Sequence, residues 1–325
     1  MSRTDFRLVF LDAATLGDVS LEPLTAHWDC TIHEFTTPAE VRERLQGYQA
    51  VILNKVVLDR STLDSVAAEE IKLIAVAATG TDNVDLEGAR AHGIRICNVP
   101  GYATQSVAQF TIALILELAT RVGRYAELVR AGAWQKSRIY TLHDFPTLEL
   151  SGKKLGIVGY GNIGRAVAEM ARGFGMEVLI SVRPGSKGPV PPGRLPLNDL
   201  LTRSDIVTLH CPLTPQTRNL IDNRALTLMK PTSFLINTAR GALVDADALI
   251  VALREGRLAG AAMDVLPQEP PPANQPVIKA AQELKNLLVT PHCAWTAREA
   301  RQRLLDEVAA NILAFTKGED RNRIV

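Results

Sequence analysis

The sequence predicts an α/β protein made of two domains, each built around a parallel sheet. Short runs of β-branched and other apolar residues alternate with helical patterns along most of the 325 residues, and this alternation is typical of parallel sheets covered by helices. The alternation breaks near residues 100–101 and begins again near residue 155. Because the chain is longer than one typical domain, two domains are expected.

The first alternation contains strand candidates separated by helical patterns. The candidates are apolar runs at residues 8–11, 51–55, 73–76 and 94–97. Between them, stretches such as residues 38–45 carry apolar residues at helical spacing, so that each helix can cover one face of the sheet. A first α/β unit is therefore predicted to end near residues 100–101.

The second alternation predicts a larger, doubly wound sheet. Its six strand candidates lie at residues 155–158, 178–182, 205–209, 234–237, 260–264 and 287–289. The apolar stretch 107–118 is shorter than the roughly 20 residues of a membrane span, and we interpret it as a buried helix. A final helix is predicted over residues 294–315, and the proline-rich stretches 189–196 and 270–276 are interpreted as surface loops.

The charge balance and the cysteines argue against several classes of protein. The formal net charge is +1 and no long basic or acidic run occurs, which argues against nucleic acid or an anionic membrane as the partner. The four cysteines are scattered, without the close pairs of a zinc site or the density of a disulfide scaffold. No metal site is expected. Because the N-terminal residues also lack a signal-peptide pattern, a cytoplasmic location is expected.

A glycine-rich turn follows the first strand of the second unit. Residues 159–164 read Gly-Tyr-Gly-Asn-Ile-Gly, between an apolar strand and a helical pattern. Gly159 permits a tight turn, Gly161 lets the backbone approach a pyrophosphate, and Gly164 lets helix and strand pack closely. Any tight strand-to-helix turn favours glycine, but here the strand and the helix both stand in place. The segment therefore predicts a Rossmann-like, dinucleotide-binding unit.

The end of the next strand bears on the choice of dinucleotide. Units that bind NAD usually carry an acidic residue there, which holds the ribose 2′-hydroxyl. Residues 180–187 contain no acid, and Arg183 stands where a 2′-phosphate would be neutralised, with Ser181, Ser186 and Lys187 nearby. The sequence thus favours NADP over NAD, and NAD stays an alternative because an arginine here also suits solvent or the adenine ring.

Three residues in separate late loops suit the reduction of a 2-keto acid. Arg240 follows the strand candidate 234–237, and its planar guanidinium suits a carboxylate. His292 follows the strand candidate 287–289, and histidine is the usual proton donor near neutral pH. Glu269 would hydrogen-bond the imidazole and favour its protonated form. Taken alone, each residue type at such a place is more often structural or solvated.

Other candidates are weighed against simpler interpretations. Asp264 would accept a hydrogen bond from the nicotinamide carboxamide, although an aspartate at a strand end is often only a turn former. The amides of Thr79 and Gly80 would hold an anion, or form an ordinary turn. Cys293 is interpreted as a packed bystander because no covalent step is required. Trp295 would wall the substrate pocket or begin the core contact of the final helix. Weaker cases are His27, His33, His92, His143 and His210.

These segments make the chain resemble the D-isomer-specific 2-hydroxyacid dehydrogenases over essentially its whole length. The match is carried by residues 159–164, 210–217, 237–241, 264–270 and 291–292. The resemblance implies that Arg240, Glu269 and His292 are catalytic. It also implies two Rossmann-like or flavodoxin-like domains, with a cleft at the hinge and a homodimer built largely through the cofactor domains.

The same resemblance implies domain limits and further contacts. A doubly wound dinucleotide-binding domain of residues 102–293 would be inserted in a discontinuous substrate domain of residues 1–101 and 294–325. Besides the three glycines and Arg183, the predicted cofactor contacts are Asn162, Ile163, Cys211, Pro212, Thr217, Thr238, Ala239 and Asp264. The predicted substrate contacts are Asn54, Thr79, Gly80 and Trp295.

Within the family, residues 54–56 and 292–295 are similar to the glycerate dehydrogenase and hydroxypyruvate or glyoxylate reductase branch. Gln109 replaces a common glutamate, and Val182–Arg183 replaces the usual acidic ribose ligand. The expected reaction is reduction of hydroxypyruvate or glyoxylate by NADPH or NADH. Two alternatives stay open: a dehydrogenase of formate or phosphite on the same scaffold, and a nucleotide-sensing protein of the corepressor kind, which the intact catalytic residues argue against.

Overall fold

The computed structural model describes residues 6–65, 70–186 and 188–325, so that Lys187 lies outside the described residues. The chain divides into two compact units. Unit 1 comprises Met1–Ala103 and Thr296–Val325, and unit 2 comprises Thr104–Trp295. Both units are parallel-sheet α/β structures, which confirms the predicted fold class. Their assignment as substrate and cofactor domains stays a prediction.

Unit 1 is built on a five-stranded parallel sheet with the strand order β2-β1-β3-β4-β5. Its strands are β1 (Arg7–Phe10), β2 (Asp29–Ile32), β3 (Ala50–Leu53), β4 (Leu73–Val76) and β5 (Arg95–Cys97). Its helices are α1 (Glu22–Thr25), α2 (Val41–Arg44), α3 (Arg60–Leu63) and α4 (Leu86–Ala91), and α12 (Arg298–Thr316) returns to it after unit 2.

The strand β2 was missed from the sequence because it lies at a sheet edge. None of its four residues is buried, so it has no continuous apolar run of the kind that marks a strand covered on both faces. The central strands β3 and β4 are buried at every position, and both were predicted.

Unit 2 is built on a six-stranded parallel sheet with the order β11-β10-β9-β8-β6-β7. Its strands are β6 (Lys154–Val158), β7 (Glu177–Ile180), β8 (Ile206–Leu209), β9 (Phe234–Asn237), β10 (Gly260–Met263) and β11 (Leu287–Val289). Its helices are α5 (Thr104–Thr120), α6 (Val122–Arg130), α7 (Asn162–Gly173), α8 (Leu197–Arg203), α9 (Asn223–Leu228), α10 (Ala246–Arg254) and α11 (Pro276–Glu283). All six predicted strands are present.

The strand order of unit 2 decides where a ligand can bind. The chain moves outward from β6 to β7 and then returns to β8 on the other side of β6. In open parallel sheets such a reversal leaves a crevice outside the carboxyl ends of the strands. The glycine turn joins the carboxyl end of β6, at Val158, to the start of α7, at Asn162. It therefore lies at this crevice.

Apolar layers cover both faces of the unit 2 sheet. On one face, α5 and α7 contribute buried residues to a core with β6 and β9, and on the other face α8, α9, α10 and α11 do the same. The stretch 107–118 lies in α5, whose buried residues include Ile115 and Leu118, so the predicted buried helix is confirmed.

Among the described residues, no single helix is long and apolar enough to cross a membrane; α5 and α6 together, bent by 59°, meet that test by length and composition only.

The final helix begins later than predicted, at Arg298 instead of residue 294. The Ala294 amide donates to Asp264 at 2.9 Å, and the Ser106 hydroxyl donates to the Ala294 carbonyl at 2.7 Å. Because both backbone groups of Ala294 are bound by unit 2, this residue belongs to the loop that follows β11.

Candidate functional site

Of the three glycines in the turn after β6, Gly161 leaves space for a further atom, whereas Gly159 and Gly164 are tightly packed. Gly159 has φ 98°, and a Cβ atom there would lie 2.5 Å from the Cys211 amide nitrogen. At Gly164 a Cβ atom would lie 2.2 Å from the Gly159 carbonyl oxygen, whereas at Gly161 it would meet no atom within 4 Å. Gly159 and Gly164 are thus required by packing. Gly161 faces open space, as the close approach of a pyrophosphate requires.

The start of α7 leaves backbone donors for an anion. Its N-cap is Gly161, which has no side chain to accept from the first turn. The amides of Asn162 and Ile163 belong to that first turn, whose N–H groups have no partner inside a helix. These features fit the diphosphate of a dinucleotide.

The end of β7 contains arginine and serine, with no acidic residue. Arg183 is exposed, and its carbonyl accepts from both the amide and the hydroxyl of Ser186, at 3.0 and 2.7 Å. Ser181 is 2 % exposed, and its hydroxyl has no hydrogen-bond partner among the described residues. The site thus lacks the carboxylate that would select a ribose 2′-hydroxyl.

The loop after β9 carries Arg240 and is tied at both ends. The buried Asn237 side chain accepts from the Ala239 amide at 3.0 Å and donates to the Arg240 carbonyl at 2.8 Å. A Cβ atom on Gly241 would lie 2.0 Å from the Leu266 carbonyl carbon, so that only glycine allows these two loops to touch. The contact brings the Arg240 loop against the loop that carries Glu269.

Asp264 organises the loop that carries His292. This carboxylate is 1 % exposed and accepts from the Thr290 hydroxyl at 2.6 Å and from the amides of Cys293 and Ala294 at 3.0 and 2.9 Å. The Asp264 carbonyl also accepts from the His292 amide at 2.8 Å. The carboxylate therefore fastens the ends of β10 and β11 together. A contact with the nicotinamide carboxamide stays a prediction.

His292 and Glu269 are in direct contact. Nδ1 of the imidazole lies 2.5 Å from Oε2 of Glu269, and the two side chains are 28 % and 33 % exposed. The other carboxylate oxygen accepts from the Leu266 amide at 2.6 Å, which fixes the glutamate against its own loop. With Nδ1 held by the carboxylate, the outer nitrogen Nε2 is left to meet a substrate.

Cys293, next to His292 in the chain, and His210, at the end of β8, are poor candidates for proton transfer. Burial, and then the charge of Asp264, raise the pKa of the Cys293 thiol to about 11, so it stays protonated at neutral pH and is a poor nucleophile. Burial lowers the pKa of His210 to about 3. That ring is neutral at pH 7 and contacts the Thr208 hydroxyl at 3.0 Å. Among the described residues, His292 lies beside the Glu269 carboxylate, whereas His210 contacts a hydroxyl.

The remaining predicted cofactor contacts line the same edge of the sheet but have structural partners. The Thr217 hydroxyl donates to the Pro212 carbonyl at 2.7 Å and so closes the turn after β8. Thr238 is 9 % exposed and shares a hydrogen bond with the Thr111 hydroxyl at 3.1 Å. Cys211 is buried. Side-chain contacts of these residues with a cofactor stay predictions.

In unit 1 the predicted substrate contacts lie on two loops. The Asn54 side chain is buried and donates to the Ala77 carbonyl. Asp12 accepts from the Asn54, Lys55 and Val56 amides at 2.8, 2.6 and 3.0 Å. This fixes the loop after β3.

The second of these loops follows β4. The Thr79 hydroxyl donates to the Val99 carbonyl at 2.8 Å. The amides of Thr79 and Gly80 donate to none of the described residues, as an anion-binding loop requires. Trp295, the last residue of unit 2, is 9 % exposed.

Three features that hold the candidate residues in place were not predicted from the sequence. Asp12, Gly241 and the loop-fastening role of Asp264 were not foreseen, because each acts on a segment far away in the chain. Gly241 carried one signal, a glycine directly after the candidate arginine. Asp12 carried none, since an aspartate after a strand is common in turns.

Comparisons with known proteins identify the relatives of this chain. Residues 112–294 match the family model for the D-isomer-specific 2-hydroxyacid dehydrogenase NAD-binding domain. A glycerate dehydrogenase of Methylorubrum extorquens is 42 % identical over 97 % of this chain and 98 % of its own. A hydroxypyruvate reductase of Blautia hydrogenotrophica is 34 % identical over 97 % and 98 %. A crystal structure of a Thermus thermophilus protein is 36 % identical, with a TM-score of 0.85 over 98 % of this chain and 100 % of that one. The chain belongs to the D-isomer-specific 2-hydroxyacid dehydrogenase family.

Proposed function

We propose that this protein reduces a small 2-keto acid, with hydroxypyruvate or glyoxylate first, to the corresponding D-2-hydroxy acid. The observation that carries the proposal is the contact between His292 and Glu269, with Nδ1 of the imidazole 2.5 Å from the glutamate. The loop that carries Arg240 touches the loop that carries Glu269 where Gly241 meets Leu266. The relatives named as glycerate dehydrogenase and hydroxypyruvate reductase support this substrate class.

Each of the three residues has a separate task. His292 donates the proton from Nε2 to the carbonyl oxygen as negative charge develops there. Glu269 stabilises the protonated imidazole and sets its orientation through Nδ1. Arg240 pairs with the substrate carboxylate and polarises the carbonyl. Asn54, Thr79, Gly80 and Trp295 stay predicted substrate contacts. In the oxidative direction His292 accepts the hydroxyl proton.

The dinucleotide would be held by the glycine turn, and its bound nicotinamide supplies or accepts the hydride. Gly159, Gly161 and Gly164 shape the turn for the diphosphate, and Asn162 and Ile163 supply amides. We assign NADPH as the preferred cofactor, since no acid stands at the end of β7 and Arg183 is exposed there. The other predicted contacts along this edge of the sheet are Cys211, Pro212, Thr217, Thr238, Ala239 and Asp264.

A panel of 2-keto acids assayed with both reduced cofactors tests the proposal. Oxidation of the nicotinamide is followed by absorbance, with hydroxypyruvate, glyoxylate, pyruvate and a branched 2-keto acid as substrates. Highest kcat/KM for hydroxypyruvate or glyoxylate with NADPH is expected. Formate- or phosphite-dependent reduction of NADP or NAD, without turnover of any keto acid, would refute the assignment. A large preference for NADH would overturn only the choice of cofactor.

The assembly is proposed to be a homodimer joined through α6 and the loop that follows it. No residue of α6 is buried. Large apolar side chains of this segment face solvent, including Val122 at 63 % and Tyr140 at 91 % exposure. The Arg121 side chain, beside them, is 6 % exposed and its Nη1 has no partner among the described residues. A second copy would cover the apolar surface. A cytoplasmic location fits the four free cysteines.

A further inference from the structure

A second arginine, Arg194, lies near the carboxyl end of β7. Arg194 comes from the proline-rich loop before α8, and the backbone beside it pairs with the end of β7. The Leu195 amide donates to the Ile180 carbonyl at 2.9 Å, and the Val182 amide donates to the Leu195 carbonyl at 2.8 Å. This loop, which the sequence shows only as a proline-rich connection, is therefore fixed to the strand whose end selects the dinucleotide.

The Arg194 guanidinium crosses from β7 toward the glycine turn. Nη1 donates to the Ser181 carbonyl at 3.2 Å, and the guanidinium carbon lies 5.0 Å from the centre of the Tyr160 ring. Tyr160 is the residue between Gly159 and Gly161. A cation stacked on an aromatic ring is held in place without losing its charge. Arg194 is therefore oriented before any ligand arrives, and it spans the carboxyl ends of β6 and β7.

Neither arginine has an acidic partner in the part of the chain that the structure describes. Among the described residues, no ion pair joins Arg183 or Arg194 to an Asp or Glu side chain. Arginine has five N–H donors, and Arg194 uses one of them on Ser181. The hydroxyl of Ser181, whose carbonyl accepts from Arg194, is buried and has no partner among the described residues. Two cations without an acidic partner at one strand end suit an anion with several oxygen atoms.

We propose that Arg194 is a second determinant of cofactor choice, which together with Arg183 binds the 2′-phosphate of an adenine dinucleotide. This inference rests on the proposed preference for NADPH. Arg183 lies on an exposed turn, whereas Arg194 is held by Tyr160 and Ser181, so Arg194 supplies the pre-oriented half of the site. Pre-orientation lowers the side-chain entropy lost on binding, and two guanidiniums match the charge of a phosphate better than one.

Equilibrium binding of nucleotides without a nicotinamide tests the proposal independently of turnover. Isothermal titration calorimetry would compare adenosine 2′,5′-bisphosphate with adenosine 5′-monophosphate on the full chain. The wild type should bind the 2′-phosphorylated probe more tightly. Arg194→Gln should weaken that probe by about 10- to 100-fold, the loss expected for one charge-assisted hydrogen bond, and leave the monophosphate affinity unchanged. Arg194→Lys should show a partial loss.

A matched control and a second arginine variant complete the experiment. Arg203→Gln removes an exposed arginine from the end of α8 and should change neither affinity. Arg183→Gln should also weaken the 2′-phosphorylated probe. The variant that combines it with Arg194→Gln should depart from the sum of the two single losses in binding free energy, because groups that bind one phosphate are coupled. Thermal unfolding of each variant identifies any that fail to fold.

The outcomes separate this inference from the proposed function. Equal weakening of both probes by Arg194→Gln, or no difference from Arg203→Gln, overturns the role of Arg194 even if keto acids are reduced with NADPH. Equal binding of both probes to the wild type overturns this role and the NADPH preference, while turnover of hydroxypyruvate with NADH keeps the reductase. Absence of keto-acid turnover refutes the proposed reductase, and the binding data still decide the role of Arg194.

Discussion

The backbone of His292 has an unusual conformation for a residue with a side chain. Its φ is 51°, in the left-handed region, which costs about 1 kcal/mol or more outside glycine and asparagine. The amide of the same residue is held by the Asp264 carbonyl at 2.8 Å. The anchored loop maintains this conformation, and the imidazole thereby reaches Glu269.

Replacement of His292 tests its role as the proton donor. His292→Asn is the preferred variant, because asparagine tolerates a positive φ, and His292→Ala is its companion. Both should lower kcat/KM for keto-acid reduction by about 10²- to 10⁴-fold, the usual contribution of a positioned general acid, as measured from steady-state rates. His143→Ala, at an exposed loop residue, should retain wild-type rates. Near-normal turnover of both His292 variants would contradict the assignment.

At the scale of single elements, the turn between β6 and α7 separates packing from ligand binding. The same side chain, a methyl group, has opposite consequences at two glycines of this turn. At Gly164 it would overlap the Gly159 carbonyl oxygen, whereas at Gly161 it enters open space. A change at Gly161 therefore acts on the ligand and not on the fold.

Gly161→Ala should leave the protein stable and weaken its dinucleotide affinity. The free energy of unfolding should change by no more than about 0.5 kcal/mol, as for other surface sites. NADPH affinity, measured by fluorescence titration, should fall by about 10- to 100-fold, because overpacking costs about 1 to 3 kcal/mol. Gly173→Ala, which also meets no atom within 4 Å, is the control and should change neither quantity. Unaltered NADPH affinity in Gly161→Ala would remove the turn from the cofactor site.

The amino-terminal ends of β6 and β8 are joined by Asp205, on the opposite edge of the sheet from the site. Its carboxylate accepts from the Lys154 amide and from the Lys230 ammonium, both at 2.8 Å. Burial raises the pKa of this carboxyl, but these hydrogen bonds and the charges of Lys230 and Lys153 outweigh burial, so the pKa is lowered. A lowered pKa in the folded state stabilises the fold above the ordinary aspartate pKa.

Asp205→Asn should lower stability in a pH-dependent way without affecting catalysis. At pH 7 the free energy of unfolding should fall by about 1 kcal/mol, allowing for partial exposure of the ion pair. The difference from the wild type should shrink as the pH falls below about 4, where the unfolded carboxyl is already protonated. Urea unfolding at both pH values measures this. A difference that is constant with pH would exclude the charge as its cause.

At the scale of the whole molecule, the proposed dimer would cover a surface that a single chain leaves exposed. The helix α6 has an apolar side but no buried residue, and an amphipathic helix normally buries that side. Val122 at the start of the helix is exposed, and Trp134, Ile139 and Tyr140 continue the exposed apolar surface beyond it.

Charges placed on this surface should dissociate the dimer. The double variant Val122→Asp with Tyr140→Asp should sediment as a monomer at concentrations where the wild type is a dimer, because each lost interface anchor costs about 2 kcal/mol or more. Val251→Asp places the same charge on an exposed residue of α10 and should stay dimeric. A wild type that sediments as a monomer would refute the proposed assembly.

The sequence by itself determined the fold class, the six strands of unit 2 and the glycine turn. These features depend on local patterns, since a strand covered on both faces must be apolar throughout and a tight turn beside a close helix requires glycine. The candidate residues Arg240, Glu269 and His292 were also found this way, because each follows the end of a predicted strand and has a side chain suited to one task.

Only the tertiary structure decided how these residues are held. The Asp264 carboxylate fastens the His292 loop, Gly241 lets the Arg240 loop touch Leu266, and Arg194 stacks on Tyr160. The edge strand β2 also appeared only in the structure, because it lacks a buried run. Each of these contacts joins residues far apart in the chain or depends on loop conformation. Such contacts leave no periodic pattern in the sequence.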